Sequence, residues 1–361
     1  MVRHLYVHIP FCPKVCPYCS FYKEASDRNK TKAFLDAVLA EAELEAEGLA
    51  PWTVFFGGGT PSALSTTQLQ YLIGGLQERV DFSEVREFTL EMNPATVSLE
   101  KAKALLELGV NRVSMGVQSW DEGLLKNLGR VHSGSQARRS YEILREAGVP
   151  NVNLDLIFGI PGQDRGQWID SLRQTLVLNP DHISAYCLTY EEDTEYFERF
   201  RRGELVPETE KDADFFELAM DTLEQAGYQQ YEISNYAKPG RECLHNLSYW
   251  RASDYAGFGP SAVSTRSGWR RKNLADTEAY TRQVLNGGDR FETLERLDDE
   301  TLRLERLSLG LRTREGIEAT LIPVTQLRNL ESHGLADVSN GRVALSRQGR
   351  LLADQIAAEI A

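Results

Sequence analysis

Three thiols crowd the start of the chain, in Tyr6-Val-His-Ile-Pro-Phe-Cys12-Pro-Lys-Val-Cys16-Pro-Tyr-Cys19-Ser-Phe21. The spacing Cys-x3-Cys-x2-Cys puts them on one tight loop directly after an apolar strand, where three sulfurs can turn toward one centre. An iron–sulfur cubane takes four thiolates. Three would leave one iron open to a small molecule, as an open ligand position separates catalytic from closed structural metal sites. A zinc loop is the alternative, but zinc asks for a fourth Cys or His close by, and His8 lies on the preceding strand. Inert buried thiols are the third reading.

The elements that must hold this loop follow from the hydrophobic pattern. Residues 5–9 read as a buried strand, and residues 31–47 carry Phe34, Leu35, Val38, Leu39 and Leu44 at helical spacing. Gly48 and Pro51 are expected to stop that helix. Strands follow at 53–56, 87–92, 112–118, 152–158 and 182–188. Helices lie between them at 66–79, 99–108, 122–128, 135–147 and 167–178. Strands at regular intervals, each followed by a helix, predict a parallel sheet wrapped by helices. Six repeats fit an incomplete (β/α) barrel or a flat doubly wound sheet, and spacing barely separates the two. Polar and glycine-rich residues gather at the carboxyl ends of the strands, where barrels of this kind carry their sites.

Beyond Tyr190 the rhythm changes. An acidic stretch (Glu191, Glu192, Asp193, Glu195) leads to a helix near 211–225, a strand at 231–236 and a hairpin at 263–273. After residue 298 the pattern is helix, helix, a hairpin turning at Asn340-Gly341, and a final helix, which is winged-helix-like. Three regions are expected: a barrel over 1–235, a linking region over 236–297 and a C-terminal α+β unit over 298–361. Ten acidic and eight basic side chains from Asp298 onward argue against a DNA-reading wing, which would be basic.

Bulk properties narrow the class. The 361 residues carry a formal charge of −13, with 42% hydrophobic and 26% charged residues. That balance argues against non-specific binding to nucleic acid or anionic lipid. No apolar run is long enough for a bilayer, and the first residues lack a signal-peptide pattern. Five cysteines, three of them in one loop, make no disulfide framework. Reduced thiols on iron point to the cytoplasm, with peripheral association to a membrane partner left open.

Gly57-Gly58-Gly59-Thr60-Pro61 closes the second strand, and such a run lets backbone approach a ligand. Alone it would equally be a strand-to-helix turn. Together with the cysteine loop it resembles the radical S-adenosylmethionine (SAM) superfamily, in the Gly-Gly-Gly-Thr-Pro form of the oxygen-independent coproporphyrinogen oxidase family. That resemblance implies a three-quarter (β/α)6 TIM-like barrel. It also implies a [4Fe–4S] cluster on Cys12, Cys16 and Cys19, with the amino and carboxylate end of SAM on the open iron. By the same resemblance Tyr6, Gly58, Gly59, Thr60, Glu91 in Glu-Met-Asn-Pro, Gln118 in Gly-Val-Gln-Ser, Arg130 in Leu-Gly-Arg and Asp155 in Leu-Asp-Leu-Ile-Phe-Gly are SAM contacts. Tyr18 is an aromatic beside the cluster. Physically, strand-end carboxylates can accept from ribose hydroxyls, and an arginine fork suits a carboxylate.

Within that family, the oxidases carry a further cysteine two residues after the third ligand and an extension before the first strand. Here the position is Phe21, and five residues precede Tyr6. Both features are similar to the haem-chaperone (HemW) branch, as is Cys243-Leu-His245-Asn246-Leu-Ser-Tyr249-Trp250, which resembles its His-Asn-x-x-Tyr-Trp signature. This implies a carrier of haem b that passes it to an acceptor protein, plausibly a membrane-bound respiratory one. His245 or Cys243 is the candidate iron ligand, and Tyr249 and Trp250 are candidate walls for the macrocycle. A packed core histidine is the competing reading of His245. Cys187 reads as a buried small hydrophobe, and His132 as a loop residue without a role. A homodimer, and an electron donor if SAM is cleaved, complete the expected partners. The alternative is a radical coproporphyrinogen III dehydrogenase.

Overall fold

The computed structural model describes residues 1–25 and 27–360. Strands β1 (Val2–Ile9), β2 (Leu49–Gly58), β3 (Glu87–Met92), β4 (Arg112–Gln118), β5 (Asn151–Phe158) and β6 (His182–Cys187) pair in parallel and in chain order. Parallel neighbours need a long crossover. Helices α1 (Arg28–Glu45), α2 (Thr66–Arg79), α3 (Leu99–Glu107), α4 (Glu122–Asn127), α5 (Gly134–Ala147) and α6 (Arg165–Leu178) supply them. Their starts are written in the sequence: Ser65 with Gln68, and Asp164 with Gln167, form reciprocal capping boxes.

Each strand reads with period two. On β1, Leu5, Val7 and Ile9 are fully buried against the helices, and each such side chain stabilises the fold by about 2 kcal/mol. His4, Tyr6 and His8 face the other way, into the barrel. Thr53, Phe55 and Gly57 do so on β2, Glu87, Thr89 and Glu91 on β3, Arg112, Ser114 and Gly116 on β4, and Asn153 and Asp155 on β5. The interior is therefore polar, while the outer layer holds Phe34, Phe56, Phe88, Phe158 and Trp168.

Past β6, α7 (Glu195–Arg201) and α8 (Thr209–Gln225) lead to β7 (Gln229–Gln230) and β8 (Asn235–Ala237). These two pair antiparallel, and β8 also lies antiparallel to β6. Helix α9 (Leu244–Trp250) then crosses to β9 (Ala256–Phe258), which runs parallel to β1. The nine-stranded sheet thus ends on β9 at one edge and β7 at the other. Its edges do not meet, so the barrel is incomplete, as the family resemblance implied.

A three-stranded antiparallel sheet follows, β10 (Val263–Arg266), β11 (Trp269–Asn273) and β12 (Phe291–Arg296), with α10 (Thr277–Leu285) between the last two. It is fastened to α1 through Glu41, which is 2% exposed. Its carboxylate accepts from Gly259 N at 2.8 Å, Asn273 Nδ2 at 2.7 Å, Tyr280 Oη at 2.5 Å and Arg290 Nε at 3.3 Å. The C-terminal part comprises α11 (Asp299–Gly310), β13 (Ile317–Glu318), α12 (Val324–Ser332), β14 (Ala336–Ser339), β15 (Arg342–Leu345), α13 (Arg347–Leu351) and α14 (Ala353–Ile360). It packs a separate core of Leu307, Leu311, Ile317, Val343 and Ile356.

Several expectations are corrected. Residues 231–236 do not form one strand, because the chain turns between β7 and β8 and Ser234 N bonds the Glu232 side chain across the turn at 3.2 Å. Pro51 lies inside β2, and the helix ends without it. The acidic stretch contains helix α7, whose short apolar face of Tyr196 and Phe200 hides among charges. Cys187 is exposed, not buried, because β6 ends there and its side chain stands at the rim beside Gly159. His132 is buried, with Nε2 3.0 Å from Val117 O.

Candidate functional site

The cysteine loop leaves β1 at the carboxyl end of the barrel and is closed by a short parallel pairing of Phe11–Cys12 with Glu24–Ala25. Thr60 N donates to Phe11 O at 2.9 Å, and Gly59 N to Ile9 O at 2.8 Å. The glycine run and the cysteine loop are thus one hydrogen-bonded structure. Cys12 Sγ lies 3.5 Å from Thr60 Oγ1, Cys16 Sγ lies 3.8 Å from Arg130 Nη1, and Lys23 Nζ reaches Cys19 O. Burial pushes the Cys12 and Cys19 thiols up, so metal ligation there would displace protons. Among the described residues no three His, Cys, Asp or Glu side chains are yet gathered closely enough to hold an ion.

The glycines are required by what lies under them. A Cβ at Gly58, where φ is +104°, would stand 2.5 Å from the His8 ring, and one at Gly59 would stand 2.6 Å from Pro10 O. His8 is itself a bridge, with Nδ1 3.0 Å from Tyr6 Oη and Nε2 2.9 Å from Tyr22 O. Burial lowers its pKa to about 4, which keeps it neutral and able to serve both partners. Tyr22 Oη in turn accepts from Thr277 N at 3.1 Å. His8 and Tyr22 carry the loop, yet the motif reading passed over both. The alternation His4-x-Tyr6-x-His8 on an otherwise apolar strand was the available signal.

Around this floor stand the strand-end groups. Burial first, and Asp155 second, push Glu91 up to about 8. Burial also raises Asp155, against hydrogen bonds from its neighbours; Asn153 Nδ2 donates to it at 2.7 Å and Ser114 Oγ at 3.1 Å. Two carboxyls raised chiefly by burial are poised to accept from donors that replace the missing solvent. Gln118 adopts φ +66° at a bulge between β4 and β5, and its amide lies close beside Gly116. Arg130 Nη2 donates to Gly116 O at 2.8 Å, while its buried Nε has no partner. A buried orphan donor costs energy unless something fills it, so the pocket suits an anionic group there. Tyr18 packs with Leu124, Leu128, Ile157 and Ile160. The structure therefore brings together Tyr6, Tyr18, Gly58, Gly59, Thr60, Glu91, Arg130 and the three cysteines, with Gln118 and Asp155 on the neighbouring strand ends. Their chemistry fits an iron–sulfur cluster with a zwitterionic ligand beside it.

The Cys243–Trp250 motif lies toward the opposite end of the barrel, with Tyr6 between the two: its ring stands 6.5 Å from that of His245 and packs against the Cys243 cluster. Glu87 at the start of β3 receives the first amides of α9: Leu244 N at 2.9 Å and His245 N at 2.9 Å, with Cys243 Sγ at 3.4 Å. His245 is 1% exposed. Its Nδ1 is 2.8 Å from Thr53 Oγ1 and its Nε2 3.0 Å from Tyr249 Oη, and its ring stacks on Phe55 with centroids 5.1 Å apart. Cys243 is fully buried. In this conformation neither offers a lone pair to an iron, since both imidazole nitrogens are engaged and no approach is open. Tyr249 and Trp250 are part-exposed.

Against known proteins, the radical SAM superfamily pattern matches residues 6–175. The haem chaperone HemW of Bacillus subtilis is 35% identical, over 98% of this chain and 98% of that protein. HemW of Escherichia coli is 40% identical over 72% of this chain and 68% of that one. The chain belongs to the HemW family. Membership of the wider superfamily implies a [4Fe–4S] cluster and SAM. In fold, the solved structure of coproporphyrinogen III oxidase (HemN) from Escherichia coli, a radical SAM enzyme, superimposes with a TM-score of 0.85. It covers 99% of this chain and 89% of that one at 25% identity. The HemW family frame thus spans the mouth, the floor and the C-terminal part alike. Among the described residues no helix is long and apolar enough to cross a membrane.

Proposed function

We propose that this chain is a haem chaperone of the radical SAM type, which binds haem b and hands it to an acceptor protein such as a membrane-bound respiratory one. Its work would be done in the cytoplasm. The observation that carries this reading is the end-to-end match with the Bacillus subtilis chaperone, reinforced by Phe21, 67% exposed, where oxidases of the wider family have a further cysteine.

Cys12, Cys16 and Cys19 would hold a [4Fe–4S] cluster, with SAM on the open iron. The cluster supplies one electron and one free coordination position. Every other contribution belongs to the chain. Arg130 Nε, a buried donor without a partner, would donate to the SAM carboxylate. Gly58, Gly59 and Thr60 bring bare backbone to its amino group, and Glu91, Gln118 and Asp155 orient the ribose and amino donors. Tyr6, through His8, holds the loop in register, and Tyr18 walls off water.

Haem enters this reading with a condition. His245 or Cys243 becomes a ligand only if α9 withdraws from Thr53 and Glu87; otherwise Tyr249 and Trp250 are the members of the motif that a macrocycle can reach. The test is anaerobic: purified protein is reconstituted with iron and sulfide, titrated with haem, and offered coproporphyrinogen III with SAM and a reductant. One haem per chain, delivered to an acceptor without protoporphyrinogen formation, supports the proposal. Catalytic protoporphyrinogen formation would favour the dehydrogenase instead.

A further inference from the structure

Helix α7, which lies outside the matched motifs, reaches the cysteine loop through one residue. Tyr196 is 1% exposed although most of its helix is charged. Its N–H donates to Pro17 O at 3.1 Å, between the second and third cysteines. Its hydroxyl donates to Asn127 O at 2.7 Å, at the end of α4. The ring stands 6.4 Å from that of Tyr18, and the Arg199 guanidinium covers its other side at 5.4 Å. Thr194 fixes the start of the helix by accepting from Phe197 N at 3.1 Å.

The two chain segments that Tyr196 grips are the two that must stay in register. From Asn127 the chain passes through Gly129 to Arg130. Gly129 has φ +69°, and a Cβ on it would stand 2.7 Å from Pro17 Cδ, so the segments touch with no room for a side chain. One residue on, Arg130 Nη1 meets Cys16 Sγ. With its N–H on the carbonyl of one segment and its O–H on the carbonyl of the other, Tyr196 therefore fixes the distance between the Cys16 sulfur and the guanidinium.

We propose that Tyr196 is a positioning residue, which clamps the cysteine loop against the Arg130 segment so that Cys16 and Arg130 keep their mutual placement. This rests on the cluster assignment above, so the experiment reads the clamp first without iron. In the full-length apo chain, Tyr196→Phe keeps the ring and the amide but loses the bond to Asn127. Backbone hydrogen exchange at residues 16–19 and 127–130 is expected to quicken about fivefold, the size of one hydrogen bond, with the rest of the barrel unchanged. In reconstituted protein, iron loss to a chelator should quicken to the same extent. Glu198→Ala, on the exposed side of the same helix, should alter neither rate. Unchanged exchange in Tyr196→Phe overturns the clamp. So does faster exchange throughout the barrel, which would mark a merely structural role, and so does local loosening with no change in iron loss. If the unaltered chain takes up no cluster, the cluster assignment fails while the exchange result still judges the clamp.

Discussion

The mouth and the floor of this barrel carry equally suggestive sets of residues, a cysteine triplet with a glycine run at one end and a Cys-x-His with aromatics at the other. They differ in what they leave unfinished. At the mouth, Arg130 Nε is buried without a partner, two carboxyls are raised by burial, and Gly58 and Gly59 seat bare backbone directly on His8 and Pro10. At the floor, the first amides of α9, both nitrogens of His245 and the Cys243 thiol all have partners; Arg112 Nε is buried without a hydrogen bond there too, but Glu87 and Cys243 of the same cluster already stand beside its charge. A site prepared for a ligand shows unspent hydrogen-bonding capacity, whereas a satisfied cluster of the same residue types is a fastening. Residue type and spacing do not tell the two apart.

Substitutions at both ends press on this contrast. The largest effect is expected from Cys12→Ala, Cys16→Ala or Cys19→Ala, each of which should abolish the brown chromophore and the bound iron after anaerobic reconstitution. Cys243→Ala should keep both. A floor variant that lost iron would erase the distinction. Next comes Gly58→Ala: a Cβ forced onto His8 at a left-handed φ costs about 1–3 kcal/mol of local strain. SAM should then perturb the electron paramagnetic resonance of the reduced cluster about tenfold more weakly, with iron content retained.

At the floor, Glu87→Gln removes the charge that receives two α9 amides, and about 2 kcal/mol of stability should go with it. The thermal midpoint falls while iron content holds. His245→Gln is the finest probe, since it keeps a donor and an acceptor but no imidazole. The haem absorption bands should stay in place if the residue is a fastening; a shift of those bands at constant stability would make it a ligand. It also carries a pH signature. Burial lowers His4 to about 4 and His245 to about 3. Their unfolded value is about 6.5, so the unfolded chain binds more protons between those limits. Stability is full above about pH 6.5 and is lost as pH falls toward about 3. The glutamine variant should flatten that decline in a series of thermal midpoints.

Much of this was legible beforehand, for reasons that residue patterns explain. Strands 87–92 and 112–118 are bounded by their own turn residues and alternate cleanly, so local chemistry alone fixes them. The cysteine loop and glycine run announce a ligand because no packing role asks for that spacing. What stayed hidden depends on partners far away in the chain. Helix α7 has too short an apolar face to be seen until Pro17 and Asn127 are in place. Residues 231–236 look like a strand because their turn is held by the Glu232 side chain, and β12 is exposed along its length except at Phe291, leaving no alternation to detect. The role of His245 was undecidable from residue type, since a ligand and a core histidine share one letter.

The fastening at Glu41 carries a consequence for the order in which the protein is made. The carboxylate on α1 waits for Gly259, 218 residues later, and for Tyr280, 239 residues later. Strand β1, which leads into the cysteine loop, likewise gains its outer neighbour only when Ala256–Phe258 emerges. A ribosome that has released the three cysteines has therefore not yet supplied the walls that steady them. On the proposed cluster assignment, chains truncated before α10 should hold iron less well after anaerobic reconstitution than the full-length chain.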